Sequence, residues 1–320
     1  MFWGQFEDKK IKEIEDVMER LLSNFGRVSM IYMTSIWPRV TNFVFRKLWD
    51  ETFKVGQQQK ELFIPLIKER LMLKEEKVRK ADDKFVSSYV DKLLDIYLPE
   101  ENRKLNDDEL VGLCSEFING GTHNTTSTLQ WIMANLVKYP DIQEKLFVEI
   151  KGVVGDGAKL VKEDDLPKIP YLRAVILEGL RKHPLGPFLI PHSVTEDVVF
   201  NGYTVPRNGT VFFMKDMGRD PKVWEDPITF KPERFLSDEN DGKPFDITGN
   251  REIKMMPFGA GRRSCPGYAL AMLHLEYFVA NLIWTFDWKA VDGEDVNMEP
   301  KQEFVLTMKN PLKANLLARF

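Results

Sequence analysis

The sequence predicts a mainly α-helical protein with a small β component. Three observations carry that expectation. Apolar residues recur at helical spacing through residues 1–100, a long helical stretch with clear start and stop signals follows, and strand signals are short and gather around residues 198–213. With 320 residues the chain is long enough to bury a substantial core, in one large domain or two smaller ones. Its formal net charge of −4 argues against nucleic acid as a partner. The two cysteines, Cys114 and Cys265, are far apart and lack paired-ligand spacing, so neither a disulfide framework nor a zinc site is indicated, and a reducing compartment fits. No apolar stretch approaches the roughly 20 residues that span a bilayer. The first ten residues are aromatic and charged, without the apolar core of a signal peptide.

Element by element, Ile11, Ile14, Val17, Met18, Leu21, Leu22 and Phe25 mark one face of a first helix over a charged opposite face. Residues 70–84 are dominated by mixed charges, which predicts a solvated helix or a connection. Asn106 is an acceptable N-cap with Glu109 at the capping-box position, and the helix it starts can run to Lys138, where Tyr139-Pro140 stops it. At 1.5 Å per residue that helix is about 50 Å long, so it is expected to cross the interior. A second apolar helix follows Pro170 and ends at His183-Pro184. Residues 198–200 and 203–205 read as strands joined by the hairpin turn Asn201-Gly202, and residues 210–213 as a further strand. Residues 220–246, rich in Pro, Asp and aromatics, predict an ordered irregular segment. Residues 268–286 read as an apolar helix, and one continuous core is expected.

The chemistry concentrates at residues 258–267, Phe-Gly-Ala-Gly-Arg-Arg-Ser-Cys-Pro-Gly. Cys265 stands between glycines, behind two arginines and ahead of a helix start, with Pro266 suited to the first helical position. A helix N-terminus and neighbouring arginines favour a thiolate, and Gly259, Gly261 and Gly267 let backbone approach a ligand closely. The residues alone leave two readings, a metal-bound thiolate or a buried structural cysteine beside a glycine-rich turn. Elsewhere, Glu178 and Arg181 share a helix face, and because that helix is apolar the pair needs a further partner. Arg234, in Phe-Lys-Pro-Glu-Arg-Phe at residues 230–235, supplies one.

The loop string matches Phe-x-x-Gly-x-Arg-x-Cys-x-Gly through Phe258, Gly261, Arg263, Cys265 and Gly267, and it resembles the haem-binding loop of the cytochrome P450 family. The Glu178, Arg181 and Arg234 motifs fit the same family, and the Asp-Pro-Lys-Val-Trp segment at residues 220–224 with the helix after Cys265 resembles its plant microsomal (A-type) branch. The resemblance implies a P450-like fold, haem b held by Cys265 as the metal ligand, and a buried network of Glu178, Arg181 and Arg234 that fixes the core behind the haem. It implies that Arg263 and His192 anchor the haem carboxylates; the alternative reading of His192 is a strand histidine with a backbone partner. The implied activity is a monooxygenase that inserts one oxygen atom from dioxygen into a small apolar organic substrate. Its electrons would come from NADPH through a cytochrome reductase, docked near Lys254, Arg262 and Arg263. For the family the location is the endoplasmic reticulum membrane, whereas the chain as written has no anchor and would be cytoplasmic.

Within the long helix, residues 120–128 read Gly-Gly-Thr-His-Asn-Thr-Thr-Ser-Thr. Two adjacent glycines inside a helix cost up to about 1 kcal/mol each, and a flat macrocycle against the backbone is a reason to keep them. Members usually carry an acid and then a threonine after the second glycine, and these deliver protons to bound dioxygen. Aligned without a gap, Gly120 and Gly121 match while His123 replaces the acid and Asn124 the threonine; a one-residue slip would instead place Thr125 and Thr126 on the threonines. His123, Asn124 and Thr125 are thus the expected oxygen-side residues. The resemblance covers residues 1–320 as a single haem-thiolate domain that corresponds to the C-terminal portion of a member, N-terminally truncated. Missing are the membrane anchor, the early helices and most of the larger sheet. The alternative is a truncated, non-catalytic family remnant with weak or no haem binding.

Overall fold

The computed structural model describes residues 7–34, 38–79, 86–186, 188–214, 216–236, 245–249, 251–291, 294–302 and 305–320. It divides into two compact units, residues 1–122 and 123–320.

In the first unit, α1 (Asp8–Thr34), α2 (Pro38–Val44) and α3 (Arg46–Arg79) pack side by side, and α3 packs on α4 (Tyr89–Asp95). A short ladder, β1 (Tyr97–Leu98) with β2 (Arg103–Lys104), precedes α5 (Asp107–Lys138). The core joins Met18, Phe63, Leu66, Ile67, Val90, Leu93, Leu110, Val111 and Cys114. The predicted apolar stripe of α1 is only partly used: Val17 and Met18 are buried, whereas Ile11 and Phe25 are about half exposed, at 49% and 54%.

The charged run at residues 71–77 is a largely exposed helix, as the solvated reading expects, and residues 80–84 lie outside the described residues, but Arg70 departs from that reading. Residues 70–79 continue α3, and Arg70 is buried against Asp91, donating from Nε at 2.9 and 3.1 Å and to the Val86 carbonyl at 3.1 Å. Ser88 caps α4 in a reciprocal capping box with the same Asp91. Burial pushes the Asp91 carboxyl up, but hydrogen bonds from Arg70 and from the Ser88 backbone and hydroxyl outweigh it and hold the group below its ordinary value. One cation of a charged stretch thus became a core residue because a carboxylate 21 positions away met it.

The Asn106–Glu109 capping box forms as expected, with Glu109 N–H donating to Asn106 Oδ1 at 2.9 Å and Asn106 N–H to Glu109 Oε2 at 2.8 Å. The second half of α5 belongs to the second unit. There Tyr139 ends α5 and Pro140 immediately starts α6 (Pro140–Val154). Next comes α7 (Pro170–Lys182), bounded by Pro170 and His183 as predicted. Both α6 and α7 pack against α8 (Tyr268–Thr285). Gly179 lets α7 meet α5: a Cβ there would lie 2.4 Å from Ile132 Cγ1. Ile132, Leu136, Leu146, Ile150, Leu172, Ile176, Leu275, Ile283 and Trp284 form the centre of this core. A smaller cluster of Trp131, Ala134 and Met308 stands apart, so buried side chains fall into separate clusters and not the one continuous core expected.

Among the described residues the β component is five two-stranded antiparallel ladders. In the second unit β3 (His192–Ser193) pairs with β6 (Thr210–Val211), and β4 (Val198–Phe200) with β5 (Tyr203–Val205). The other two pairs are β7 (Phe286–Ala290) with β10 (Ala314–Ala318), and β8 (Pro300–Gln302) with β9 (Leu306–Met308). The β4–β5 turn has Asn201 at φ 47° and Gly202 at φ 83°, as the Asn-Gly pair predicts. No helix among the described residues is long and apolar enough to cross a membrane.

His183, just past α7, is buried and stacks on Trp131 with centroids 4.4 Å apart, and its Nε2 meets Asn135 Nδ2 at 3.0 Å. Burial first, then the nearby Lys182, Arg219 and Arg181 charges, push its pKa down to about 3. The folded state therefore holds it neutral, while the unfolded chain takes up a proton near the ordinary value of about 6.5. Stability drawn from this site is complete above that value and drains away as pH falls toward 3. His183→Phe keeps the stacking and removes the titration. The stability gap between wild type and this variant, measured by urea unfolding, is expected to narrow steadily as pH is lowered through that window.

Candidate functional site

Cys265 is half-buried in a loop entered through a short 3₁₀ turn, Gly261–Arg263. Its own N–H donates to the Phe258 carbonyl at 2.8 Å, and Ser264 N–H donates to the Gly261 carbonyl at 3.1 Å. Gly259 and Gly261 sit at φ 73° and 74°, left-handed values that a side chain would strain. The Phe258 ring lies 6.3 Å from that of Tyr268, and a Cβ on Gly267 would come within 3.9 Å of Cys265 Sγ. Helix α8 starts at Tyr268 with Gly267 as N-cap, so Pro266 stands outside the helix and not at its first position. Arg262 and Arg263 are exposed on the 3₁₀ turn, and Lys254 pairs with Glu252 at 3.6 Å.

His192 lies on β3 opposite Val211, half-buried, with its ring edge-on to Phe213 at 5.6 Å. The segment carrying it runs beside the cysteine loop, since a Cβ on Gly259 would meet Leu189 Cδ2 at 3.7 Å. Phe258, Gly261, Arg263 and Cys265 therefore share one loop, and His192 is three residues from a side chain that touches it.

The second group is the buried network. Glu178 and Arg181 have no side-chain exposure, and Arg181 donates from Nε and Nη2 to the two carboxylate oxygens at 2.7 and 2.8 Å. Arg234 reaches the same carboxylate from Nε at 3.2 and 3.3 Å. Two further partners escaped the sequence reading: Lys231 N–H donates to Glu178 at 2.8 Å, and Arg181 donates to the Gly218 carbonyl at 2.5 Å. Trp224 was missed too. Both guanidinium groups lie over its ring, at 5.3 and 5.9 Å, and its indole N–H donates to the Lys254 carbonyl at 3.2 Å. The only sequence signal was an aromatic in an irregular segment between the two arginines.

The third group is on α5. Gly120 and Gly121 close the first unit, and a Cβ on either would meet nothing within 4 Å, so protein packing does not demand them. His123 and Asn124 are half-buried and Thr125 is buried. Thr126 and Thr128 donate their hydroxyls to the carbonyls of His123 and Asn124 at 3.1 and 3.0 Å, the back-bonding expected of hydroxyl side chains in a helix.

These donors suit an iron that arrives with most of its ligands attached. Among the described residues no group of three His, Cys, Asp or Glu side chains is placed to hold a bare metal ion. A lone half-buried thiol, its backbone N–H already paired and glycines on both sides, would supply a single ligand to a metal carried by a cofactor.

Comparisons with known proteins agree with this geometry. The family model described as "Cytochrome P450" matches residues 2–316. "Cytochrome P450 89A9" of Arabidopsis thaliana is 47% identical over 329 aligned positions, covering 99% of this chain and 62% of the relative. "Geraniol 8-hydroxylase" of Catharanthus roseus is 34% identical, covering 95% of this chain and 59% of the relative. The chain thus spans about three fifths of the length of these curated relatives. Among solved structures, a zebra fish cytochrome P450 with abiraterone superposes with a TM-score of 0.74 at 22% identity, covering 100% of this chain and 68% of that one, which establishes the fold.

The network makes a sharp prediction. Glu178→Gln leaves two buried guanidinium groups without their anion, an arrangement that typically costs about 3–5 kcal/mol. Urea unfolding should show a loss of that order, while Lys145→Ala, which removes an exposed partner of Glu233, should cost less than about 1 kcal/mol.

Proposed function

Because the chain belongs to the cytochrome P450 family, we propose that it forms the haem-thiolate part of a monooxygenase. That enzyme would insert one oxygen atom from dioxygen into a small apolar organic substrate, with electrons from NADPH through a cytochrome reductase at the endoplasmic reticulum membrane. The observation that carries the proposal is the Cys265 loop, a single half-buried thiol held by backbone hydrogen bonds between left-handed glycines. The name of the Catharanthus relative, a hydroxylase of geraniol, supports a small organic substrate.

In this reading Cys265 holds the iron of haem b as its thiolate. Haem bound that way supplies the electron donation that favours O–O cleavage. Arg263 and His192 pair with the propionates, the guanidinium through charge-assisted hydrogen bonds. Glu178, Arg181 and Arg234 hold the fold behind the loop. Lys254, Arg262 and Arg263 offer positive charge to the reductase. His123, Asn124 and Thr125 would line the oxygen side, where the His123 imidazole N–H would donate a proton and Asn124 would hold water by hydrogen bonds without passing a proton along.

The reduced protein with carbon monoxide tests the assignment. A thiolate-type Soret band is expected from the wild type and should be lost in Cys265→Ser. A wild type that takes up no haem would favour a non-catalytic family relative. The departure at His123 and Asn124 has its own measurement, peroxide released per NADPH consumed. Restoring the hydroxyl in Asn124→Thr should lower that ratio several-fold, since a positioned proton donor typically contributes about 100-fold or more in rate. An unchanged ratio would show that Asn124 does not limit proton delivery.

A further inference from the structure

We propose that Asp246 is a positioning residue for the Cys265 loop, acting through the backbone it gathers at Thr248, Gly249 and Arg251. The proposal rests on the reading of Cys265 as the iron ligand, but its geometry stands apart from that reading. One oxygen, Oδ1, accepts from Thr248 N–H at 2.9 Å, from the Thr248 hydroxyl at 2.7 Å and from Gly249 N–H at 3.1 Å. The other, Oδ2, accepts from Arg251 N–H at 2.6 Å. Four donors on one carboxylate fold the backbone into a fixed turn. Burial raises the carboxyl pKa, but the hydrogen bonds from Arg251, Thr248 and Gly249 win and hold it down to about 2, so the group is an anion at every working pH.

What the turn touches gives it a purpose. Gly249 is at φ 72°, and a Cβ there would lie 3.0 Å from Ala260 Cβ and 3.1 Å from Ile253 Cγ1. Ala260 is inside the cysteine loop, next to Gly261, where the 3₁₀ turn begins. The other side of the turn is anchored in the core. Ile247 is buried there, and Phe245 stands edge-on to Phe235 at 4.9 Å and 5.9 Å from Trp224. Trp224 is also the ring beneath Arg181 and Arg234. Asp246 therefore joins the rigid network to the loop: core aromatics hold one end, the carboxylate shapes the bend, and the bare backbone of Gly249 presses on Ala260. The loop has few hydrogen bonds of its own, so an external wall of this kind decides where the thiol points.

The test uses the full chain and compares Asp246→Ala, Asp246→Asn and Gly249→Ala. The first readout is alkylation of Cys265 by iodoacetamide, with the buried Cys114 as internal control. Asp246→Ala should speed Cys265 alkylation roughly tenfold, as expected for losing hydrogen bonds to an ionised group, with Cys114 unchanged. Asp246→Asn keeps an oxygen at Oδ1 but cannot accept from Arg251, and should fall between. Gly249→Ala leaves the carboxylate intact, pushes on Ala260 and should match Asp246→Ala. The second readout, after haem loading, is the thiolate-type fraction of the reduced carbon monoxide complex, which should fall in the same order. All three variants within about twofold of wild type in Cys265 alkylation would overturn the proposal. So would equal acceleration of Cys114 and Cys265, because that marks general loosening. If the wild type itself gives no thiolate-type band, the monooxygenase reading fails, while the alkylation series still decides the role of Asp246.

Discussion

One buried carboxylate sets the terms for the second unit. Glu178 has no exposed side-chain surface, and a carboxylate taken out of water costs several kcal/mol unless its lone pairs are filled. Here they are filled by Arg181, Arg234 and the Lys231 N–H. Two cations against one anion leave an excess positive charge. That excess is spread over the carbonyls of Gly218, Thr229 and Glu225 and the face of Trp224. These acceptors fall at Gly218, at the adjacent Trp224 and Glu225, and at Thr229, all between residues 216 and 234. The irregular segment has to adopt one path, because any other would strand a buried charge. An arrangement of this kind is weak as a source of net stability and strong as a selector of one structure, which is what a stretch without regular ladders needs.

The cysteine loop inherits that order. Among the described residues, its internal backbone hydrogen bonds run from Cys265 to Phe258 and from Ser264 to Gly261. Its glycines, needed for left-handed turns and close approach, remove the side chains that would otherwise pack it. Position then comes from neighbours: Leu189 beside Gly259, Gly249 against Ala260, and Tyr268 near Phe258. The same bareness that admits a flat ligand makes the loop dependent on its surroundings.

What was legible in the sequence follows the range of the interactions. The ends of α5 and α7 were readable because caps and prolines act within a few residues: Asn106 with Glu109, Tyr139-Pro140, Pro170 and His183. The Asn201-Gly202 hairpin was readable for the same reason. Glu178 and Arg181 announced themselves by charge on an apolar helix, and Arg234 by its motif. Arg70 did not, because its partner Asp91 is reached only through the packing of α3 on α4, and a charged run is ordinarily solvated. Trp224 and Asp246 were invisible in the same way, since their neighbours are brought to them by the path of an irregular segment. The strand predicted over residues 210–213 shortened to Thr210–Val211 with an isolated bridge from Met214 to Phe188, because pairing depends on what lies alongside.

The stretch of α5 from His123 to Thr128 shows how helix chemistry limits proton transfer. A hydroxyl has one proton to give. Thr126 and Thr128 each give theirs to a carbonyl one turn back, leaving their oxygens as acceptors toward anything else. To pass a proton onward, either side chain must first rotate and abandon a helix carbonyl. Asn124 offers amide hydrogens that hold water but do not ionise. The neutral imidazole of His123 carries one N–H and one acceptor nitrogen, so it can release a proton on one side and be refilled on the other. Unlike Thr126 and Thr128, it can do both without giving up a hydrogen bond to a helix carbonyl. In the proposed reading, the substitution moves proton supply from a hydroxyl to a ring.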